Sequence, residues 1–162
     1  MKITAVPICT ENRAPFDALC VRPDQDHLIA PNEAWLDQVL PIEKSHSFGL
    51  MNADTPMGLF TMTDTRTVPA DVVAKYFQPG CAYLWHFMVD AAAQGRGLGR
   101  AALSVIEEHA KAFDGIGMSL TTADLEPGNA LPFYSAAGYA PSGRRLHGEI
   151  ELIKQFQKVR NA

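Results

Sequence analysis

The sequence predicts an α/β (α+β) protein with a mixed, mostly antiparallel central sheet of six or seven strands flanked by helices. A strand, a glycine-rich turn, a helix and another strand follow one another between residues 83 and 122, which is the order of an α/β unit. Pairs of strand-like segments joined by turn residues lie before and after this unit, so much of the sheet is expected to be antiparallel. The length of 162 residues fits one domain, residues 1–162.

The composition excludes several classes of protein. Hydrophobic residues make up 47% and charged residues 20%, which is an ordinary globular balance, and no apolar run of about 18 residues predicts a membrane span. The net charge of -4 argues against a nucleic-acid partner. The widely spaced Cys9, Cys20 and Cys81 form no metal-binding or redox pair, and the N-terminus lacks the pattern of a signal peptide. We therefore expect a cytoplasmic protein without a metal.

Turn residues and apolar spacing divide the first half of the chain. Pro15 interrupts the first expected helix and delays its start, whereas Pro31-Asn32 opens the second and Pro41 ends it. The predicted elements are a strand at 3–8, helices at 11–20 and 32–40, strands at 47–53 and 57–63, and a helix within 65–80.

The second half contains the most regular patterns. Residues 83–89 are apolar on both faces apart from His86, which is typical of a central buried strand. Asn129 is expected to cap a short helix that closes at Gly138, and Ser142-Gly143 is expected to connect the last two strands. The other predicted elements are a helix at 98–113 and strands at 118–122 and 149–156.

The glycine-rich turn after the central strand has the properties of a diphosphate site. Backbone N–H groups at a helix start are unpaired, and the helix dipole adds partial positive charge to them. Gly95, Gly97 and Gly99 allow a ligand to approach the backbone closely, and Arg96 and Arg100 add charge beside these amides.

The identity of the diphosphate ligand depends on the neighbouring residues. A nucleoside-triphosphate loop needs Lys-Ser/Thr after its last glycine, where this chain has Arg100-Ala101. Glycine content alone does not exclude a dinucleotide loop, but the turn lies in mid-chain after a hairpin rather than after a first strand. The pattern Gln94-x-x-Gly97-x-Gly99 resembles the acetyl-CoA loop of the GNAT acetyltransferase family, Arg/Gln-x-x-Gly-x-Gly/Ala.

A second motif supports this resemblance. Residues Asn129 to Tyr139 are similar to the family signature Asn-x-x-Ala-x-x-Phe/Leu-Tyr-x-x-x-Gly-Phe, with Pro132 as a departure that a first helical turn tolerates. The resemblance covers roughly residues 48–156, and Gly58 in the third strand also matches.

The resemblance implies a GNAT-type fold, acetyl-CoA as co-substrate and N-acetyltransferase activity toward an amine. It implies that Tyr134 is the general acid that assists departure of the thiolate, and that Asn129 and the backbone of residues 87–89 contact the pantetheine arm. It also allows a homodimer. The expected cofactor-binding residues are Phe87, Met88, Val89, Gln94, Gly95, Arg96, Gly97, Leu98, Gly99, Arg100, Asn129 and Tyr134.

A narrower resemblance concerns the acceptor. Gln25, Ala30 and Asn32, together with residues 87–90, look like the corresponding stretches of bacterial spermine/spermidine acetyltransferases, which implies a small-molecule amine such as a polyamine. The acidic residues expected to face such a cation are Asp24, Asp26, Glu33, Asp37 and Glu43.

The general base is left open by the sequence. A primary amine has a pKa of about 10, so something must accept its proton. His86 interrupts a buried strand and is included as a catalytic candidate, although a structural, hydrogen-bonded histidine would explain the same pattern. The other candidates are Tyr83, Asp90, Asp124 and Glu126.

Alternatives to a small-amine acetyltransferase also stay open. The same fold serves catalytically silent acyl-CoA-binding or sensing modules, and related enzymes acetylate an amino acid, an antibiotic or a protein amine. The tyrosine at position 134 favours an enzyme, because a sensor needs no acid.

Overall fold

A seven-stranded sheet forms the centre of the computed structural model, which describes residues 2–113 and 115–157. The strands are β1 (Ile3–Pro7), β2 (Ser45–Asn52), β3 (Thr55–Asp64), β4 (Cys81–Val89), β5 (Gly117–Thr122), β6 (Ala140–Leu146) and β7 (Glu149–Gln155). The helices are α1 (Ala14–Asp17), α2 (Asn32–Val39), α3 (Ala70–Tyr76), α4 (Leu98–Ala112) and α5 (Leu131–Ala136). Short 3-10 turns lie at Pro23–Leu28, Thr65–Thr67 and Ala91–Ala93.

The sheet has the order β1-β2-β3-β4-β5-β7-β6. Every neighbouring pair is antiparallel except β4 and β5, which are parallel and are joined through α4. This confirms the predicted mixed, mostly antiparallel sheet. None of the helices in the described ranges has the length and apolarity to cross a bilayer.

The parallel pair β4–β5 separates along its length. Register pairs join Cys81–Tyr83 to Gly117–Ser119, and β4 continues to Val89 without further pairing to β5. A strand edge that lacks a neighbour presents free N–H and C=O groups. The split therefore exposes the second half of β4 to whatever enters between the two strands.

A β-bulge in β4 changes which side chains face each side of the sheet. Thr61 of β3 is paired with His86 and the next residue, Met62, is paired with Leu84, so Trp85 is an extra residue. A bulge of this kind reverses the alternation of side chains beyond it. As a result Leu84 packs in the core below α4, whereas His86 lies against α2.

Two hydrophobic clusters cover the two faces of the sheet. The larger cluster includes Leu103 and Ile106 of α4, in agreement with the apolar stripe of that helix. The smaller cluster includes Phe16 of α1, Leu36 of α2 and Met88 of β4. The core thus positions α4 on one face of the sheet and α2 on the other face, near the split between β4 and β5.

The structure corrects several predicted boundaries. The last hairpin turns at His147-Gly148, whose φ angles of 52° and 81° suit a two-residue turn. Ser142-Gly143 was expected in that turn but lies within β6, where Gly143 occupies an irregularity in the pairing with β7. The helix predicted at 11–20 is also shorter, because α1 spans Ala14–Asp17 around Pro15.

Candidate active site

A cavity of about 590 Å³ lies where β4 and β5 separate. Leu84 and Leu120 from the core below α4 line it, and so do His86 and Met88 from the opposite side of the sheet. The cavity therefore passes through the sheet. Of the predicted site residues, those that line it are His86, Phe87, Met88, Val89, Gln94, Gly95, Gly97, Gly99, Arg100, Asn129 and Tyr134.

The glycine-rich turn forms one wall of this cavity. Gly95 and Gly97 have φ angles of 76° and 74°, in the left-handed region that glycine adopts without strain. A Cβ atom at either position would have no atom within 4 Å. Over the described ranges, the backbone N–H groups of residues 95–97 donate no hydrogen bond to another protein group. This wall is open and carries unpaired donors, as an anion site requires.

Gln94 holds the turn in place. Its Nε2 donates to the Val89 carbonyl oxygen and to Gln25 Oε1, both at 2.9 Å. The side chain thus joins the end of β4 to the 3-10 turn at Pro23–Leu28. These two hydrogen bonds of Gln94 support the shape of the glycine-rich turn.

Two predicted cofactor residues in the same segment do not line the cavity. Leu98 is buried in the core, and Arg96 is exposed and donates to the Ala92 carbonyl oxygen at 3.1 Å. Arg100 lines the cavity, with Nη1 donating to the Ala136 carbonyl oxygen at 2.9 Å near the end of α5. Arg100 therefore supplies positive charge on the side of the cavity that contains the turn.

Tyr134 is enclosed by aromatic rings. The ring centroids of Phe133 and Tyr139 lie 5.2 and 5.6 Å from its own, and 8% of the residue is exposed. No other residue of the described chain offers its hydroxyl a hydrogen-bond partner, although Tyr134 lines the cavity. Burial raises the pKa of this hydroxyl well above its ordinary value, so it keeps its proton at neutral pH.

Comparison with known proteins identifies the family of this chain. Residues 11–139 match the profile of the acetyltransferase (GNAT) family. The chain belongs to the GNAT acetyltransferase family. This membership confirms the prediction of an acetyl-CoA-dependent N-acetyltransferase. None of the curated proteins compared with this acetyltransferase matches it.

Solved structures confirm the GNAT fold. The PaiA N-acetyltransferase of Thermoplasma acidophilum, in complex with coenzyme A, has a TM-score of 0.68 and 11% identity over 96% of this chain and 100% of that chain. A GNAT acetyltransferase of Elizabethkingia anophelis with acetyl-CoA bound has a TM-score of 0.64 and 16% identity. This match covers 95% of this chain and 98% of that chain. An acetyltransferase of Thermus thermophilus has a TM-score of 0.68 and 20% identity. This match covers 96% of this chain and 98% of that chain.

Asn129 shapes the loop between β5 and α5 of this acetyltransferase. Its Oδ1 accepts from the Leu131 amide at 3.0 Å, and its Nδ2 donates to the carbonyl oxygens of Asp124 and Glu126 at 3.3 and 2.8 Å. The helix starts one residue later than expected, with Ala130 at the N-cap position. Asn129 therefore organises the loop that faces the cavity as well as contributing to its lining.

His86 occupies a structural environment. Its ring is stacked on Trp35 with centroids 4.8 Å apart, and its Nε2 lies 3.4 Å from Asn32 Oδ1. Asn32 in turn donates to the carbonyl oxygens of Phe16 and Leu19 at 2.8 and 3.1 Å. Burial lowers the pKa of His86 from 6.5 to about 4, which disfavours proton uptake at neutral pH. The residue ties α2 and the end of α1 to β4.

The other base candidates do not line the cavity. Asp90 accepts from the amides of Cys20 and Ala92, at 3.0 and 3.1 Å, and so caps the turn after β4. Asp124 is held in a two-pronged ion pair with Arg145, with N–O distances of 2.8 and 2.9 Å. Tyr83 and Glu126 also lie outside the cavity lining.

The acidic residues expected to face a cationic acceptor are also elsewhere. Asp37 pairs with Arg13 at 2.8 Å and Asp24 pairs with Arg22 at 3.2 Å. Asp26, Glu33 and Glu43 likewise do not line the cavity. Across the described ranges, no cluster of three or more potential ligands is arranged to hold a metal ion.

Two further residues of the cavity lining, Glu149 and Trp85, were not among the predicted site residues. Glu149, the first residue of β7, is the single carboxylate in the cavity lining among the described residues. Trp85 also lines the cavity and is 39% exposed. The sequence offered a weak signal for each residue, a charged side chain at the start of a strand for Glu149 and an aromatic side chain within a strand for Trp85. The bulge in β4 shows that Trp85 reaches the cavity, and the pairing of β5 with β7 shows that Glu149 does.

Proposed function

We propose that this protein transfers the acetyl group of acetyl-CoA to a primary amine of a small molecule, by direct attack in a ternary complex. The observation that carries the proposal is a single cavity that brings together a cradle of unpaired amides, a free strand edge and an unpaired tyrosine hydroxyl. Each of these features matches one requirement of acyl transfer from a thioester.

The chain offers groups that fit each part of the co-substrate. The amides of residues 95–97, with Arg100 nearby, would bind the diphosphate. The free edge of β4 at residues 87–89 would pair with the pantetheine amides as an added strand does, and Asn129 lies across from it in the cavity lining. The bound molecule would supply an activated acetyl thioester. Coenzyme A and acetyl-CoA in the Thermoplasma and Elizabethkingia structures support this assignment.

Tyr134 is the proposed general acid. Its hydroxyl holds a proton at neutral pH because burial raises its pKa, and no partner within the described residues competes for that proton. A departing thiolate is a stronger base than the sulfur of a thioester, so a donor at this position stabilises charge that develops during the reaction. Because the enclosing rings prevent Tyr134 from turning away, the donor is preorganised.

Removal of the amine proton is assigned to water in the cavity. About one primary amine in a thousand is neutral at pH 7, so the proton must leave before attack. His86 has a pKa of about 4 and packs against Trp35 and Asn32, which makes it a weak base. The carboxylates proposed from the sequence are engaged in caps and ion pairs or lie outside the cavity.

A small cationic amine, such as a polyamine, is the proposed acceptor class. The cavity passes through the sheet, and among the described residues one carboxylate lines it on the side opposite Tyr134, where an acceptor would enter.

An acceptor screen tests the proposal. Purified protein is incubated with acetyl-CoA and spermidine, 1,5-diaminopentane, amino acids or a lysine peptide, and released thiol is measured. We expect release with small diamines and triamines. Tight acetyl-CoA binding by calorimetry with no release for any amine would contradict an enzyme and favour a silent acyl-CoA sensor.

A further inference from the structure

The cavity has a second end, away from Tyr134, whose side chains take no part in the proposed acid catalysis. Glu149 and Trp85 line this end. Across the described residues, no side chain or backbone group bonds or ion-pairs with the Glu149 carboxylate. A carboxylate in a cavity lining that lacks a protein partner is available to a positively charged ligand.

Strand register places this end on the face of the sheet opposite α4. Thr121 of β5 is paired with Glu151 of β7, so the two residues share a face, and Glu149 shares it because it lies two residues earlier. Thr121 Oγ1 lies 3.4 Å from the Tyr83 hydroxyl, which places Tyr83 on the same side across the split. Leu120, next to Thr121, belongs to the opposite cluster together with Tyr134.

Aromatic rings surround this end. The Trp85 ring lies 5.7 Å from that of Tyr83 and 6.1 Å from that of Trp35, while its outer surface stays exposed. Burial raises the pKa of Tyr83, and the carboxylates of Glu149 and Glu151 raise it further. Glu151 is already satisfied by Arg144, Gln78 and Ser142, so Glu149 is the carboxylate left for a ligand.

The location of Glu149 decides whether its carboxylate would bind the reacting nitrogen of an acceptor or a second ammonium group of the same molecule. A carboxylate that holds the reacting nitrogen as an ammonium ion opposes attack, because only the neutral amine is a nucleophile. A carboxylate that holds a second ammonium group of the same acceptor has no such cost. Because Tyr134 and Glu149 lie on opposite sides of the sheet, the second role suits the geometry.

We infer that Glu149 and Trp85 form a binding site for the distal, non-reacting ammonium group of a diamine or polyamine acceptor. The carboxylate pairs with the ammonium ion, the indole ring contacts it through a cation–π interaction, and the alkyl chain spans the split in the sheet. This inference rests on the proposed function and adds the residues that would select a diamine or polyamine over a monoamine.

Paired substrates and a neutralising variant test the site. 1,5-Diaminopentane and 1-aminopentane differ by the distal amino group. In Glu149→Gln we expect kcat/KM for the diamine to fall roughly ten-fold, mainly through KM. We expect kcat/KM for the monoamine to stay within about two-fold of the wild-type value. Glu43→Gln is the matched control, because Glu43 is exposed, lies outside the cavity and loses the same charge.

A binding measurement separates the site from catalysis. Calorimetric titration of 1,5-diaminopentane into the protein loaded with coenzyme A should show a loss of affinity in Glu149→Gln and in Trp85→Leu, with coenzyme A affinity retained in both. Equal losses for diamine and monoamine, or no loss relative to Glu43→Gln, would overturn the inference. A wild-type enzyme that acetylates monoamines as well as diamines would overturn it too, and would leave the proposed function intact. Absence of transfer to every amine would contradict both.

Discussion

Tyr134 and Tyr139 show how similar residues take different roles in one cluster. Both are buried, and their rings lie 5.6 Å apart in an edge-to-face arrangement. The Tyr139 hydroxyl donates to Glu107 Oε1 at 3.0 Å and lies outside the cavity lining. The Tyr134 hydroxyl has no partner among the described residues and faces the cavity. Tyr134 is therefore distinguished from Tyr139 as the candidate acid by its unpaired hydroxyl and not by its burial.

Tyr134→Phe should separate acid catalysis from packing. The ring remains and the proton donor is lost, so we expect turnover to fall roughly 100-fold while acetyl-CoA affinity stays near the wild-type value. Steady-state kinetics and calorimetry measure the two quantities. In the control Tyr139→Phe, turnover should be retained while stability decreases, because Glu107 loses a donor. Unchanged turnover in Tyr134→Phe would remove the residue from the mechanism.

The glycine-rich turn and α4 act as one element. Gly97 is the residue that precedes α4, with a φ angle of 74° and a ψ angle of 2°. This left-handed residue separates α4 from the amides before it, which donate no hydrogen bond within the described ranges. The helix behind them is 15 residues long and packs on the sheet through Leu103 and Ile106. The donors are therefore carried by a rigid support.

Gly97→Trp should abolish acetyl-CoA binding, because the indole ring would occupy the open wall of the cavity. The matched control is Gly97→Ala, which has the same strain of about 1–2 kcal/mol from a positive φ but little bulk. We expect the alanine variant to lose part of its stability and to keep measurable affinity in calorimetry. Tight binding by a folded Gly97→Trp variant would place the cofactor elsewhere.

Buried ionisable groups tie distant parts of the whole molecule together. His86 joins β4 to α2 through Asn32 and Trp35. Glu151 is fully buried and accepts from Arg144, Ser142 and Gln78, which joins β7 and β6 to the segment after α3. Burial tends to raise the pKa of Glu151, but these hydrogen bonds outweigh it and the pKa lies below its ordinary value. Both groups make the fold sensitive to acid.

The stability of the whole chain should decrease in two stages as the pH falls. The folded state keeps His86 neutral down to about pH 4, whereas the unfolded chain takes up this proton near pH 6.5, so stability is lost between these values. The pKa values of Glu151 and Asp64 are lowered in the folded state. The stability that these two carboxylates contribute is therefore lost at a lower pH, as the pH falls through their folded-state pKa values.

A His86→Phe variant isolates the first stage, because phenylalanine keeps the stacking on Trp35 but does not titrate. Denaturant unfolding at pH 7 and pH 5 should show a loss of unfolding free energy that is smaller in the variant by roughly 2 kcal/mol. The carboxylates are common to both proteins and serve as the internal control. Parallel curves for the two proteins over this range would contradict the buried, neutral state of His86.

The predictions that succeeded rest on local patterns. The order of elements, the limits of α4 and the glycine-rich turn follow from turn residues and apolar spacing, which act within a few residues of one another. The last hairpin was misplaced because Ser142-Gly143 and His147-Gly148 are both acceptable turns locally. Pairing of β6 with β7 decided between them, and such pairing involves residues that local propensity does not describe.

By itself the sequence determined the fold class, the GNAT family and the glycine-rich turn that is proposed as the anion cradle, because each depends on short motifs and on the period of apolar residues. Only the tertiary structure decided which charged and aromatic side chains meet at the cavity. The bulge at Trp85, the split between β4 and β5 and the register that brings Glu149 to its edge are pairings between strands far apart in the chain. The proposed acceptor end is built from such long-range contacts, whose geometry comes from the packed sheet.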